Sequence, residues 1–305
     1  MKRMRRWSVG GTALMLLGSC TNVTDHPRVQ PVPPSVRADK PTPQLRRAPG
    51  PVTFSYSGPR MQGGAVIGIA PAGTSMLTFN GASVPVTADG RFLIAFDRDA
   101  PPSATLVATL DDGRQVSDAL VVAPRAWLIE RLNTLPKFPR PQPEMERLRP
   151  AEIAQINAAR RVRSDSQGWR QVFLWPTTGR ISGMFGSQRV YQGQPGAYHS
   201  GTDIARPAGT PVLAPADGVV ILAADHPFTL EGNLLMIDHG MELNSAFLHL
   251  SRIDVHVGER VRRGQVVGAI GMSGRATGPH LHWGLKWRGS RIDPLLLAGP
   301  MPRAE

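Results

Sequence analysis

Four histidines and one aspartate fall in three short motifs: His199-Ser-Gly-Thr-Asp203, Phe247-Leu-His249-Leu-Ser251 and Gly278-Pro-His280-Leu-His282-Trp283-Gly284. The chain holds only eight histidines in 305 residues, so half of them are gathered here. On a strand, side chains at i and i+2 leave the same face, so His280 and His282 aim together while Leu281 turns behind them. His199 and Asp203, four apart, share a side whether extended or helical. Imidazole nitrogen and carboxylate oxygen together suit Zn²⁺, and a catalytic zinc usually takes three protein ligands and leaves one position open. Five candidates exceed three, which leaves a remainder for acid–base work, where imidazole titrates in the useful range. Each motif alone is weak, since an H-x-H is as often two polar residues on an edge strand. Their joint occurrence in one region carries more. His26, His226, His239 and His256 lack such company and read as tether, loop or strand-end residues.

These motifs need strands to present them. From 171 to 305 the sequence alternates apolar and polar residues between closely spaced glycines, as in TPVLAPADGVVILA, NSAFLHL and RVRRGQVVGAIG. Alternating runs with glycine turns predict a glycine-rich antiparallel β domain, a sandwich or open barrel. Trp283 and Trp287 alternate on its last long strand and read as packing residues. Residues 51–125 show the same rhythm with Asn80-Gly81, Asp89-Gly90 and Asp112-Gly113 as hairpin signals, because these pairs tolerate positive φ. They predict a small β-sandwich, with an immunoglobulin-like one as a candidate. Between the two, 126–170 predicts a helical connector: AWLIERLNTL as one helix, and RPAEIAQINAARRVRSDS as a second. Pro150 suits the first turn of that second helix, and Arg160, Arg161 and Arg163 its last. Prolines at 136, 139, 141 and 143 separate the two. The fold class expected is therefore mainly β.

The N-terminal fifty residues differ in kind. MKRMRRW is basic, VGGTALMLL is apolar but shorter than the roughly 20 residues a bilayer span needs, and Leu17-Gly18-Ser19-Cys20 follows. Residues 1–20 read as a secretory signal, and the cysteine resembles that of a bacterial lipobox, which implies lipidation at Cys20. One cysteine excludes an internal disulfide. Residues 21–50, rich in proline and poor in large apolar side chains, read as an extended tether. Thr21 after the cysteine implies, by resemblance to Gram-negative lipoproteins, the periplasmic face of the outer membrane. The formal charge of +12, from 35 Lys+Arg against 23 Asp+Glu, favours anionic neighbours. No basic run or recognition module points to nucleic acid.

The stretches HSGTDIARPAGTPVLAPADGVV, GNLLMIDHG, FLHLS, VRRGQVVGAIGMSGRATGPHLHWGL and RIDPLLL together resemble the lysostaphin-like, LytM-type zinc metallopeptidase family over about 180–297. The resemblance implies Zn²⁺ held by His199, Asp203 and His282, with His249 and His280 flanking the water on the metal. It implies hydrolysis of peptide bonds in peptidoglycan, with the wall polymer as substrate and the membrane reached through the lipidated N-terminus. Phe247 stands where the family often has tyrosine, and Thr202 where an aliphatic residue is commoner. A non-catalytic LytM-type factor that activates a cell-wall amidase is the alternative, but such proteins lack the ligands present here. The sequence names no protein partner.

Overall fold

A computed structural model describes residues 50–134 and 143–302. The expected signal segment, Cys20, and almost all of the tether lie outside the described residues. The first strands are β1 (Ser55–Ser57), β2 (Ala65–Ile69), β3 (Thr74–Phe79), β4 (Ala82–Val84), β5 (Arg91–Ala95), β6 (Ser103–Leu110) and β7 (Gln115–Val121). They form two antiparallel sheets, β1-β2-β5 and β4-β3-β6-β7. Val66, Phe92 and Ile94 of one face Leu77, Leu106 and Leu120 of the other, all buried, and each is worth about 1.5–3 kcal/mol. Asn80 and Gly81 take φ of 49° and 80°, which matches the two-residue turn that joins β3 to β4. Gly113 likewise turns β6 into β7. The Asp89-Gly90 turn does something else: it leads the chain from β4 in one sheet to β5 in the other.

The connector departs from expectation in its first half. Its residues 126–132 are extended, with β8 (Ile129–Leu132). An isolated ten-residue helix is marginal in water, and here tertiary pairing wins. β8 runs parallel to β10 (Gln188–Tyr191), while Trp127 packs on Phe185 at 5.8 Å. The second half is helical, as α1 (Pro143–Ala159). It begins about two turns earlier than the Pro150 signal, at Pro143, another proline suited to a first turn. Pro150 is inside the helix, and Arg160, Arg161 and Arg163 follow its end. Prolines 136, 139 and 141 lie outside the described residues.

After a short 3₁₀ turn at Gly168–Arg170 come β9 (Arg180–Gly183), β10, β11 (Gln194–Pro195), β12 (Thr202–Ala205), β13 (Pro211–Leu213), β14 (Gly218–Ala223) and β15 (Asn233–Asp238). The chain continues through β16 (Leu243–Ile253), β17 (Arg260–Val261), β18 (Val266–Ile270), β19 (His280–Trp287), β20 (Ser290–Ile292) and α2 (Pro294–Ala298). The main sheet runs β17-β14-β15-β16-β19-β12-β9, with β13, β18 and β20 attached beside it. All of its pairings are antiparallel. Leu281, Trp283, Leu285 and Trp287 on one face of β19 are buried. Trp287 meets Phe79 of the sandwich at 6.0 Å. Residues 280, 282, 284 and 286 therefore face the opposite way. On that face α1 seats Ile156 and Ala159 against Ile221, Phe228, Leu234 and Met236. Arg149 locks it there with two bonds to Glu231 at 2.5 and 2.7 Å, and the buried Glu152 carboxylate accepts from Thr229 N–H and Oγ1.

His239 is a core residue. It is fully buried, donates from Nδ1 to the Asp217 carbonyl at 2.8 Å, and accepts from Ser245 Oγ at 2.7 Å. Burial pushes its pKa down to about 4. A depressed histidine pKa means the unfolded chain binds the extra proton first, so stability is full above about 6.5 and falls as pH drops toward 4. The wild-type protein should lose on the order of 3 kcal/mol from this group across that window. Denaturant titrations at pH 7 and pH 4.5 should show a smaller loss in His239→Gln, which keeps a polar group but does not titrate. An equal loss in both proteins would contradict the assignment.

Candidate metal centre

The register of two strands builds the site. Asp203 on β12 lies directly opposite His282 on β19, and His199 stands just before β12, its N–H donating to the Ser187 carbonyl at 2.8 Å. The side chains converge. His199 Nε2 is 3.0 Å from Asp203 Oδ1 and 3.0 Å from His282 Nδ1, and His282 Nδ1 is 2.9 Å from Asp203 Oδ1. Among the described residues, these three form the one group arranged to hold a metal ion.

Neighbouring carbonyls fix which nitrogen carries the proton. A carbonyl can only accept, so His199 Nδ1, bonded to the Met184 carbonyl at 3.1 Å, bears the hydrogen and leaves a lone pair on Nε2. His199 Nε2, Asp203 Oδ1 and His282 Nδ1 thus meet at one point, and protons on the two rings can satisfy only part of that set, since two nitrogens also face each other. A divalent cation satisfies all three. The edge of a tetrahedral site with zinc–nitrogen distances near 2.0–2.1 Å is about 3.3 Å, close to the triangle observed, so the donor set fits a metal. Burial alone would raise Asp203, but hydrogen bonds from both rings outweigh it and hold the carboxyl well below its usual range. Burial lowers His282. For His199, burial is outweighed by the Asp203 hydrogen bond and charge, which raise it.

His249 and His280 stand beside this triangle. Their ring centres are 4.8 Å apart, and His280 Nε2 is 3.9 Å from Asp203 Oδ1. His249 Nδ1–H donates to the Ser273 carbonyl at 2.9 Å and His280 Nδ1–H to the Gly278 carbonyl at 2.8 Å. Both rings therefore turn Nε2 away from those carbonyls. Burial pushes His249 down to about 4, so it is neutral at pH 7. Its backbone is unusual, with φ of 64°, a region costly for residues other than glycine. It sits where β16 changes partner: Leu248 pairs with His282 of β19, and Leu250 with Ile270 of β18. The break in register turns His249 toward the site.

All five expected side chains thus come together, while Cys20 lies outside the described residues. Sequence reading missed the residues that make room and orient. A Cβ at Gly183 would fall 2.3 Å from Asp203 Oδ2, and one at Gly201 would fall 2.7 Å from His282 Nε2. The Met184, Ser273 and Gly278 carbonyls leave no trace in residue type. Ser-Gly-Met at 182–184 carried the only readable signal, a glycine inside a β-prone run. His226 and His256 are exposed and pair with Asp225 and Glu259, away from the site.

Residues 197–294 match Peptidase family M23. The chain is 43% identical over 123 residues to peptidoglycan DD-endopeptidase ShyA of Vibrio cholerae, covering 40% of this chain and 28% of that protein. It is 40% identical over 104 residues to DD-carboxypeptidase/endopeptidase Mpg of Neisseria meningitidis, covering 34% of this chain and 24% of the relative. The matched stretch spans about a quarter of each relative's length. A Pseudomonas aeruginosa protein crystallised as a candidate M23 peptidase superposes with a TM-score of 0.61 at 29% identity, over 79% of this chain and 95% of its own. That overlap reaches beyond the family match.

Gly183→Ala should push Asp203 off the triangle. Divalent-metal affinity, measured by competition with a chromophoric chelator, is expected to fall at least tenfold with the circular dichroism spectrum retained. Wild-type affinity in the variant would contradict the packing argument.

Proposed function

We propose that this chain, whose residues 197–294 form a Peptidase family M23 domain, is a zinc-dependent endopeptidase that hydrolyses peptide cross-links of peptidoglycan. One observation carries the reading: three atoms able to bind a metal, His199 Nε2, Asp203 Oδ1 and His282 Nδ1, converge within 2.9–3.0 Å of one another beside two further imidazoles. The names of the Vibrio and Neisseria relatives support the substrate class.

Zinc held by His199, Asp203 and His282 supplies Lewis-acid polarisation of the scissile carbonyl and a water acidic enough to react near neutral pH. The chain's own groups do the rest. His249 and His280 each offer Nε2, freed because Nδ1–H is spent on a carbonyl. One ring accepts the proton of the attacking water and returns it to the leaving amine, while the other, when protonated, donates to the developing oxyanion. The carbonyl bonds keep both rings from flipping, so this division needs no rearrangement before each turnover.

Lipid attachment at Cys20, with the protein on the periplasmic face of the outer membrane, completes the proposal. Its support is the basic head, short apolar run and Leu17-Gly18-Ser19-Cys20 of the sequence.

Digestion of purified cross-linked muropeptides, with products resolved by mass, tests the reading. Cleavage should stop with chelator and return with zinc. His282→Ala should lose both zinc and cleavage. His249→Ala should retain one zinc per chain yet lose about 10²–10⁴-fold in turnover. Full activity in either variant would overturn the assignment. A protein that binds zinc, cleaves nothing, and stimulates an amidase would favour the activator alternative.

A further inference from the structure

The face of β19 that carries His280 and His282 continues through Gly284 to Lys286. Lys286 lies directly opposite Arg291 of β20, and like charges placed so are unfavourable in a sheet. Arg160, just past α1, lines the same cavity of about 210 Å³, which extends to His282 and is roofed by α1 residues including Arg149 and Ile156. Three cations thus line one end of a space that at its other end reaches the ring of His282, one member of the metal triangle.

The neighbouring carboxylates are committed elsewhere. Asp97 accepts the Arg291 backbone N–H at 2.8 Å and the Tyr198 hydroxyl at 3.0 Å. Glu231 is held by both terminal nitrogens of Arg149. The Arg291 guanidinium lies over the Tyr198 ring at 5.2 Å. Arg160 Nε is buried with no hydrogen-bond partner, a costly state for a charged donor. Burial, reinforced by Arg160 and Arg291, pushes Lys286 down to about 8, and burial with the charge of Arg291 lowers Arg160. Asn244 and Ser245, on the same cavity wall, add neutral polar groups but no negative charge.

We propose that Arg160, Lys286 and Arg291 form an anion subsite of the groove that receives a carboxylate of the peptide substrate. The proposal rests on the peptidase reading above, because it takes the cavity to be part of the substrate path. Lys286 is four strand positions beyond His282, about 13 Å, so the carboxylate lies within roughly four extended residues of the bond cut. A carboxylate there would relieve the repulsion between Lys286 and Arg291 and give the Arg160 guanidinium an acceptor. Free α-carboxylates on peptide stems have this chemistry.

Two arms test it with the full zinc-loaded chain. In the first, cross-linked muropeptides with free carboxylates are compared with their amidated counterparts. Wild type should favour the carboxylate form at least tenfold in kcat/KM, as a charge-assisted bond implies. That ratio should collapse toward one in Lys286→Gln and in Arg291→Gln. In the second arm, D-alanyl-D-alanine and its C-terminal amide are titrated by calorimetry, a readout independent of turnover. The dipeptide should bind at least tenfold tighter than the amide to wild type, and the two should bind alike in the variants. Thermal melting controls for folding, and loss of like-charge repulsion should leave the melting temperature unchanged or higher. Wild-type preference persisting in both well-folded variants would overturn the subsite. Failure of wild type to cleave either muropeptide would sink the peptidase reading instead, and the calorimetric arm would then decide the subsite alone.

Discussion

Two imidazole nitrogens and one carboxylate oxygen, three atoms able to bind a metal, are held within 2.9–3.0 Å of each other. Protons satisfy such a set only in part, and several elements of the C-terminal β region hold it together. The Asp203–His282 register brings two of the atoms together across a ladder. The Met184 carbonyl fixes the third by holding His199 Nδ1. Gly183 and Gly201 leave the space that any Cβ would take. A metal bound there would complete the packing locally, since ligands pre-oriented by outer partners bind more tightly.

The pair of outer histidines obeys the same logic. Each ring is tied through Nδ1 to a main-chain carbonyl, so its Nε2 faces one way only. His249 reaches its position through a left-handed backbone, φ 64°, at the point where β16 trades one neighbour for another. Backbone strain at that point is offset by the two ladders that hold β16 on either side. The sandwich contributes to the same rigidity from behind. Phe79 packs on Trp287, and buried Arg98 donates to the Gly186 carbonyl and Gln188. Arg125 pairs at 2.8 Å with Asp293, which also caps α2. The strand that carries His280 and His282 is thereby packed on its rear face, while its front borders the cavity roofed by α1.

Much of this was legible in the residues. Period-2 alternation placed His280 and His282 on one face, and Asn-Gly and Asp-Gly pairs marked turns, because both signals depend on local backbone geometry alone. What depended on distant partners was hidden. Residues 129–132 have helix-compatible spacing but pair with a strand some sixty residues away. His239 resembled a strand-end residue until Asp217 and Ser245 enclosed it. The positive φ of His249 and the carbonyls that set four tautomers have no side-chain signature. The helix read only as part of a connector, yet it walls the cavity that reaches His282 and brings Arg160 to it.

The most direct measurement is anomalous X-ray scattering across the zinc absorption edge from crystals of the zinc-loaded protein. The account predicts one peak per chain, about 2.0–2.1 Å from His199 Nε2, Asp203 Oδ1 and His282 Nδ1, with His249 and His280 outside bonding distance. A peak ligated by His249 or His280, or no peak at the triangle in zinc-loaded protein, would contradict it.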